Sequence, residues 1–183
     1  MTRRRLLSLP LLLPAALLAA CAADLAELPG EYLGGVGDPV RGTALRAPFV
    51  LGDTSRYRGD PASAAYAAAQ LEFLARSFET DPRYGNAVPA LRAARQEMRA
   101  ALGIPAQESP EAAETRLRLA AQALREGSRS RAESALAAWP PGVIDRLAQL
   151  PRLPAVATAA GIAAQEIHRL DQEGLSRGWR ARL

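Results

Sequence analysis

Two neighbouring hydroxyl side chains, Thr54 and Ser55, follow an apolar run and a Gly-Asp pair in the stretch FVLGDTS (residues 49–55). A hydroxyl group becomes a nucleophile when a nearby general base takes its proton. Histidine is the side chain that most often acts as this base, and the chain contains one, His168. The chain contains no lysine, which excludes a Schiff-base lysine and a Walker A phosphate loop. Hydrolytic chemistry would therefore depend on bringing His168 to these hydroxyls.

The order of residues in this stretch resembles the nucleophile block of SGNH-type hydrolases, in which a strand leads to Gly-Asp-Ser. Gly52 and Asp53 match that block, but Thr54 occupies the serine position and Ser55 comes one place late. The family also has an aspartate three residues before its catalytic histidine, where this chain has Gln165. Its α/β fold needs several strands, and the sequence offers at most one. We keep a periplasmic hydrolase as an alternative and expect a non-enzymatic protein without catalytic residues.

Another serine, Ser176, lies in GLSRG (residues 174–178), which has the G-x-S-x-G spacing of a nucleophile elbow. That motif needs a strand before the serine and a histidine after it. Here a helical pattern precedes the motif and no histidine follows, so we interpret it as the end of a helix and a turn. One histidine is also too few for a zinc site, and we expect no metal and no cofactor.

The first 20 residues have the organisation of an export signal. Arginines at positions 3–5 precede an apolar run from Leu6 to Leu18, which Pro10 and Pro14 interrupt. A membrane-spanning helix needs about 20 apolar residues, so this run is too short and too interrupted to be one. Small residues follow it, as signal cleavage requires.

The apolar run ends in Leu18-Ala19-Ala20-Cys21, and Cys21 is the only cysteine of the chain. This sequence resembles the lipobox of bacterial lipoproteins. The resemblance implies that the signal peptidase recognises Leu18, Ala19 and Ala20 and cuts before Cys21, which carries acyl chains. It also implies a lipid-anchored protein of the cell envelope. Because residue 22 is alanine rather than aspartate, we expect the outer membrane, with the protein facing the periplasm. Several acyl chains are needed for stable anchoring.

The formal net charge of +4 decreases once a signal peptide is removed. Three of the 23 basic residues lie in residues 1–20, which contain no acid, so 20 arginines face 19 acidic residues in the mature chain. This balance gives no strong positive field, and we expect no nucleic-acid partner. Aromatic residues make up only 5% of the chain. A core of Leu and Ala suits close-packed helices.

Apolar periodicity, caps and prolines predict an all-α fold, an irregular bundle of five or six helices after an extended N-terminal segment. Residues 21–43 are rich in Gly and Pro, which indicates a lipidated flexible tether. Residues 44–183 form the expected single helical domain, and its first residues, 44–51, are predicted as a short extended segment. Asp60 caps the first predicted helix. The predicted helices begin near residues 61, 88, 110, 130, 141 and 154.

Three arginines flank the apolar strip around Phe49 on an otherwise nearly neutral domain. We therefore interpret five residues as candidates for partner docking: Arg46, Phe49, Arg56, Tyr57 and Arg58. The expected function is a membrane-anchored, periplasm-facing, non-enzymatic interaction or assembly subunit of the cell envelope, with an envelope protein as partner. The alternatives are a small-ligand or lipid carrier with an apolar cavity in the bundle, the hydrolase using Gly52-Asp53-Thr54-Ser55, and a structural spacer without a specific partner.

Overall fold

The computed structural model describes the backbone of residues 38–180 and the side chains of residues 38–174. This part of the chain contains seven α-helices, two short 3-10 helices and no strand, which confirms the predicted all-α bundle. The two 3-10 helices are Thr54–Tyr57 and Pro82–Tyr84. The α-helices are α1 (Pro39–Leu51), α2 (Pro61–Thr80), α3 (Val88–Leu102), α4 (Pro110–Arg125), α5 (Arg129–Ala135), α6 (Val143–Ala148) and α7 (Pro154–Arg180).

Helix α1 corrects the prediction that residues 44–51 are extended. Asp38 caps the helix, because its carboxylate accepts hydrogen bonds from the N–H groups of Val40 (3.0 Å) and Arg41 (3.1 Å). Pro48 lies inside α1 without ending it, although proline cannot donate a helical hydrogen bond. The burial of an apolar stripe offsets this loss. That stripe consists of Ala44, Ala47 and Leu51.

The predicted tether therefore ends earlier than expected, since its last residues, 39–43, belong to α1. The rest of the tether, the signal peptide and the lipobox residues lie outside the described residues. None of the helices in residues 38–180 combines the length and the apolar character that a membrane crossing requires.

Helix α2 lies at the centre of the bundle and packs against α1, α3, α4 and α6. Helix α7 packs against α1 and α3. The core is built mainly from leucine and alanine, as the composition predicted. Small side chains allow neighbouring helices to approach closely. In α2 the fully buried alanines are Ala64, Ala65, Ala67, Ala68 and Ala75.

A buried ion pair connects α2 to α3. Arg99 donates two hydrogen bonds to the Glu72 carboxylate, from Nε at 2.6 Å and from Nη2 at 2.8 Å. Its remaining Nη1 donates to the backbone oxygen of Glu108 at 2.8 Å, which fixes the loop before α4. Burial raises the pKa of Glu72, and the hydrogen bonds and charge of Arg99 oppose this shift. Breaking this pair would leave an uncompensated charge in the core.

The predicted caps of α2 and α4 are confirmed. Asp60 accepts a hydrogen bond from the Ser63 N–H at 3.0 Å, and the Ser109 hydroxyl accepts one from the Ala112 N–H at 3.1 Å. At the other end of the domain, α7 continues to Arg180. The GLSRG stretch therefore lies within a helix, and our interpretation of it as a helix end and turn was wrong.

Candidate functional site: a docking surface beside helix α1

Asp53 organises the turn between α1 and the first 3-10 helix. Its carboxylate accepts hydrogen bonds from the Ser55 hydroxyl (2.6 Å) and the Ser55 N–H (3.1 Å). The hydroxyl bond is the main cause of the lowered pKa of Asp53. Partial desolvation opposes it, while the Ser55 N–H and the charges of Arg152 and Arg56 lower the pKa further. Asp53 thus acts as a cap that accepts hydrogen bonds from the hydroxyl and the N–H of Ser55.

Thr54 is fully buried and connects this turn to the segment before α7. Its hydroxyl donates to the backbone oxygen of Pro151 at 2.5 Å and accepts from the Leu153 N–H at 3.0 Å. Both capacities of the hydroxyl are therefore used in holding two distant parts of the chain together. The intervening residue, Arg152, is exposed beside Asp53.

The hydrolase alternative needs a histidine beside the hydroxyl of Thr54 or Ser55. His168 lies exposed on α7, and within residues 38–174 no hydrogen bond joins its side chain to Thr54 or Ser55. Two helix carboxylates, Glu79 and Glu97, are engaged in structural hydrogen bonds. Glu79 accepts hydrogen bonds from Arg92 and Arg95.

Glu97 has a structural role of the same kind, because its carboxylate accepts a hydrogen bond from the Val156 N–H at 3.1 Å. This bond satisfies a backbone donor in the first turn of α7. Among the described side chains, no three His, Cys, Asp or Glu residues are arranged to bind a metal ion.

Three of the five predicted docking residues, Phe49, Arg56 and Tyr57, lie together at the end of α1. The side chain of Phe49 is 67% exposed. The Arg56 guanidinium lies over its ring, with 4.6 Å between Cζ and the ring centroid, and donates to the Phe49 backbone oxygen at 2.8 Å. The half-buried Tyr57 donates its hydroxyl proton to the Val50 backbone oxygen at 2.8 Å. These bonds hold Phe49 and Arg56 in a fixed arrangement at the surface.

Three more arginines extend this cluster. Arg46 precedes Phe49 by three residues and therefore shares its face of α1. Arg58 follows the 3-10 helix, and Arg152 is placed beside Asp53 by the Thr54 bridge. All three are exposed. We call the set Arg46, Phe49, Arg56, Arg58 and Arg152 the docking surface.

The arginines of the docking surface differ from most others in their partners. In the described part of the chain, the guanidinium groups of Arg46, Arg58 and Arg152 make no ion pair and no hydrogen bond, and Arg56 bonds only to a carbonyl oxygen. Eleven arginines elsewhere pair with carboxylates: Arg41, Arg76, Arg83, Arg92, Arg95, Arg99, Arg116, Arg118, Arg129, Arg131 and Arg169. Of the remaining two, Arg125 stacks on Tyr66 and Arg146 donates to three backbone oxygens.

Sequence reasoning found four residues of the docking surface and missed Arg152. Arg152 lies far along the chain from the other members, and only the folded bridge between Thr54 and Pro151, 97 residues apart, reveals that it belongs with them. Nothing in its local sequence carries that information.

Two surface grooves lie among α4, α5 and α6, and neither includes a residue of the docking surface. One, of about 470 Å³, has an apolar floor that includes Leu136, Trp139 and Ile144, and the buried Trp139 Nε1–H has no hydrogen-bond partner among the described residues. The other, of about 520 Å³, is lined in part by Leu119, which is 53% exposed.

Comparison with known proteins identifies no relative. No protein-family model, curated protein or solved structure matches this chain. Its function must therefore be inferred from its own residues.

Proposed function

We propose that this protein is a lipid-anchored, non-enzymatic interaction subunit of the cell envelope. Acyl chains on Cys21 hold it in the outer membrane, facing the periplasm, and the docking surface binds an envelope component. The lipobox resemblance of Leu18-Ala19-Ala20-Cys21 supports the anchor. The observation that carries the docking role is the cluster of four arginines without carboxylate partners around an exposed phenylalanine.

The chemistry of the docking surface favours binding over a structural role. A guanidinium group presents several donors in a planar fork, which matches the two oxygens of a carboxylate or a phosphate. Arginine and aromatic side chains are enriched in protein interfaces. Three guanidinium groups here have all their donors free for an external partner.

The arrangement of Phe49 and Arg56 also lowers the cost of binding. Their stacking and the 2.8 Å hydrogen bond order both side chains before any partner arrives. Binding therefore loses less side-chain entropy than it would with two mobile side chains. Anchoring adds to this, because confinement at a membrane raises the effective concentration of the domain near other envelope components.

The anchor is tested with the substitution Cys21→Ser in cells labelled with a fatty acid. We expect the wild-type chain to be labelled and shortened, and the variant to remain unlabelled and uncleaved by the lipoprotein signal peptidase. Ala22→Ser is the matched control and should be labelled as the wild type is. Normal labelling of Cys21→Ser would contradict the anchor.

The docking role is tested by sedimentation with isolated cell envelopes. The protein is the mature chain, residues 21–183, with Cys21→Ser so that no acyl chain contributes. The docking triple variant carries Arg46→Gln, Arg58→Gln and Arg152→Gln. The control triple variant carries three substitutions at exposed, ion-paired arginines: Arg83→Gln, Arg92→Gln and Arg131→Gln.

Both triple variants remove the same formal charge, so a difference between them reports the site and not the net charge. We expect the wild type and the control triple variant to sediment with envelopes and the docking triple variant to remain in solution. Equal loss in both variants, or no sedimentation of the wild type, would contradict the docking role.

A small-ligand carrier is the second candidate, because the groove floored by Trp139 has a volume in the range of ligand sites and an unpaired indole donor. A fatty acid that enters this groove should change the fluorescence of Trp139. The change should disappear in Trp139→Phe, which keeps Trp179 as an internal reference. A titration without any fluorescence change would dismiss the carrier.

A further inference from the structure

We infer that the docking surface binds the phosphate groups of anionic lipids, so that the domain rests on the membrane in which its acyl chains are anchored. This inference rests on the proposed function, because it takes the docking surface as the binding site and names its partner.

The first argument is the charge of the docking surface. The acids nearest in sequence to Arg56 and Arg58 are Asp53 and Asp60, and both act as caps. Asp53 caps the 3-10 helix, and Asp60 caps α2 through the Ser63 N–H. The carboxylates thus satisfy backbone donors, and the guanidinium groups of Arg46, Arg58 and Arg152 keep their donors for an external oxygen. Phosphate oxygens fit these forks in a bidentate manner.

The second argument is the position of Phe49. Phe49 is 67% exposed and lines neither of the two grooves described above. An aromatic side chain surrounded by arginines matches the boundary between lipid headgroups and acyl chains, where the ring enters the apolar layer and the charges stay among the headgroups. The Arg56 guanidinium, stacked on this ring, would reach the headgroups together with it.

The third argument is reach. A chain that runs from residue 21 to residue 38 spans at most about 60 Å, at roughly 3.5 Å per residue. Arg46 and Phe49 lie a further 10–15 Å or so along α1, at about 1.5 Å per residue. An anchor at Cys21 therefore keeps the docking surface within reach of the headgroups around the anchor, at a high effective concentration.

The inference is tested by sedimentation with lipid vesicles. The mature chain with Cys21→Ser is suitable, because the core residues of the described part lie between Ala44 and Ile167 and none is removed. One set of vesicles contains phosphatidylethanolamine and phosphatidylglycerol, and the neutral set replaces phosphatidylglycerol with phosphatidylcholine. We expect binding to the anionic vesicles alone, and its weakening as salt is raised.

The docking triple variant should lower the partition coefficient on anionic vesicles about a hundred-fold, since each arginine near such a surface contributes about five-fold. The control triple variant should bind nearly as the wild type does. Phe49→Ser should weaken binding several-fold, while the matched substitution of an exposed side chain outside the docking surface, Leu119→Ser, should have no effect. Circular dichroism of every variant verifies that the helices are intact.

Two results would overturn the inference: no preference for anionic vesicles, or equal losses in the two triple variants. The envelope experiment separates this failure from that of the proposed function. If the chain sediments with envelopes through the docking surface but not with anionic vesicles, the partner is an acidic protein and the proposed function stands. If it sediments with neither, both fail.

Discussion

The centre of the bundle and the docking surface use the same residue type in opposite ways. Between α2, α3 and α4, arginines are matched to carboxylates: Arg99 to Glu72, Arg95 to Glu79 and Arg76 to Glu114. The four arginines of the docking surface form no ion pair with a carboxylate of the described residues, although the charges of Arg56 and Arg152 lower the pKa of Asp53. Because the chain has no lysine, arginine supplies all its permanent positive charge.

This difference separates arginines that hold the fold from arginines that are available to a partner. Removing an arginine of the first kind leaves an unpaired carboxylate, which costs more as the site becomes more buried. Removing Arg46, Arg58 or Arg152 breaks no hydrogen bond and no ion pair with the described residues. The comparison therefore predicts opposite consequences for stability and for binding in the two regions.

The largest effect is expected at the buried pair. Arg99→Met leaves Glu72 charged and unpaired in the core and should lower the free energy of unfolding by about 3–5 kcal/mol. Adding Glu72→Leu to this variant should restore most of the loss, because no buried charge remains. Urea denaturation of Arg99→Met, Glu72→Leu and the double variant measures the free energy of unfolding of each. A loss below about 1 kcal/mol for Arg99→Met would show that the pair is not buried as described.

A smaller loss is expected where the fold supports the docking surface. Thr54→Val removes the bridge to Pro151 and Leu153 and leaves a buried N–H unsatisfied, which should cost about 2 kcal/mol. Thr43→Val is the control, since the Thr43 hydroxyl donates only to the Pro39 oxygen one turn away in its own helix. Thr54→Val should also weaken envelope binding, because Arg152 is no longer held in place. Equal losses of stability and of envelope binding in Thr54→Val and Thr43→Val would contradict the proposal that the Thr54 bridge supports the docking surface.

The dependence of stability on pH should also differ between the two kinds of arginine. Hydrogen bonds from Arg83 lower the pKa of Asp81 below its ordinary 3.8. Burial raises the pKa of Glu79, but bonds from Arg92 and Arg95 outweigh it, and the result lies below the ordinary 4.5. A lowered folded pKa means that the ionised form favours folding. This contribution is complete above the unfolded pKa and is lost as pH falls through the folded pKa.

We therefore expect the free energy of unfolding to be nearly constant down to about pH 5 and to decrease in more acidic solution. The control triple variant removes arginines that pair with Asp81, Glu79 and Glu126, and its acid decrease should be shallower. The docking triple variant should retain nearly all of the decrease of the wild type, because Arg152 is only a minor cause of the lowered pKa of Asp53. Thermal unfolding across an acid pH series measures this decrease in each variant. Identical dependence of stability on pH in the two triple variants would contradict the comparison.

The smallest effect is expected for the docking triple variant at neutral pH. Its three arginines make no ion pair with the described residues, so its free energy of unfolding should lie within about 0.5 kcal/mol of the wild type. The control triple variant should lose somewhat more, since exposed pairs contribute up to about 1 kcal/mol each. A large loss in the docking triple variant would assign these arginines to the fold.

The sequence predicted six of the seven described α-helices, because caps and apolar periodicity are local signals. Asp60-Pro61 and Ser109-Pro110 mark two helix starts that the structure confirms. The same signal, Asp38-Pro39, stands before α1, and Gly-Asp-Pro occurs at residues 37–39 as it does at residues 59–61. The glycines around Asp38-Pro39 and the proline at position 48 are typical of an irregular segment, and they outweighed this helix-start signal in the prediction.

The candidate site was predictable only where its residues are close in sequence. Phe49 and Arg56 were found because they lie in one short stretch, whereas Arg152 joins them through a tertiary hydrogen bond to Pro151. The role of Thr54 could not be predicted for the same reason. A hydroxyl after Gly-Asp looks the same in a sequence whether it is a nucleophile or a buried bridge.

Site-specific photo-crosslinking in intact cells tests the central claim most directly. A photoreactive amino acid replaces Phe49 in one variant and Leu119 in another, since both side chains are exposed and only Phe49 belongs to the docking surface. The proposed function predicts a discrete adduct, with lipid or with one protein, from position 49 and none from position 119. No adduct from position 49, or the same adducts from both positions, would contradict it.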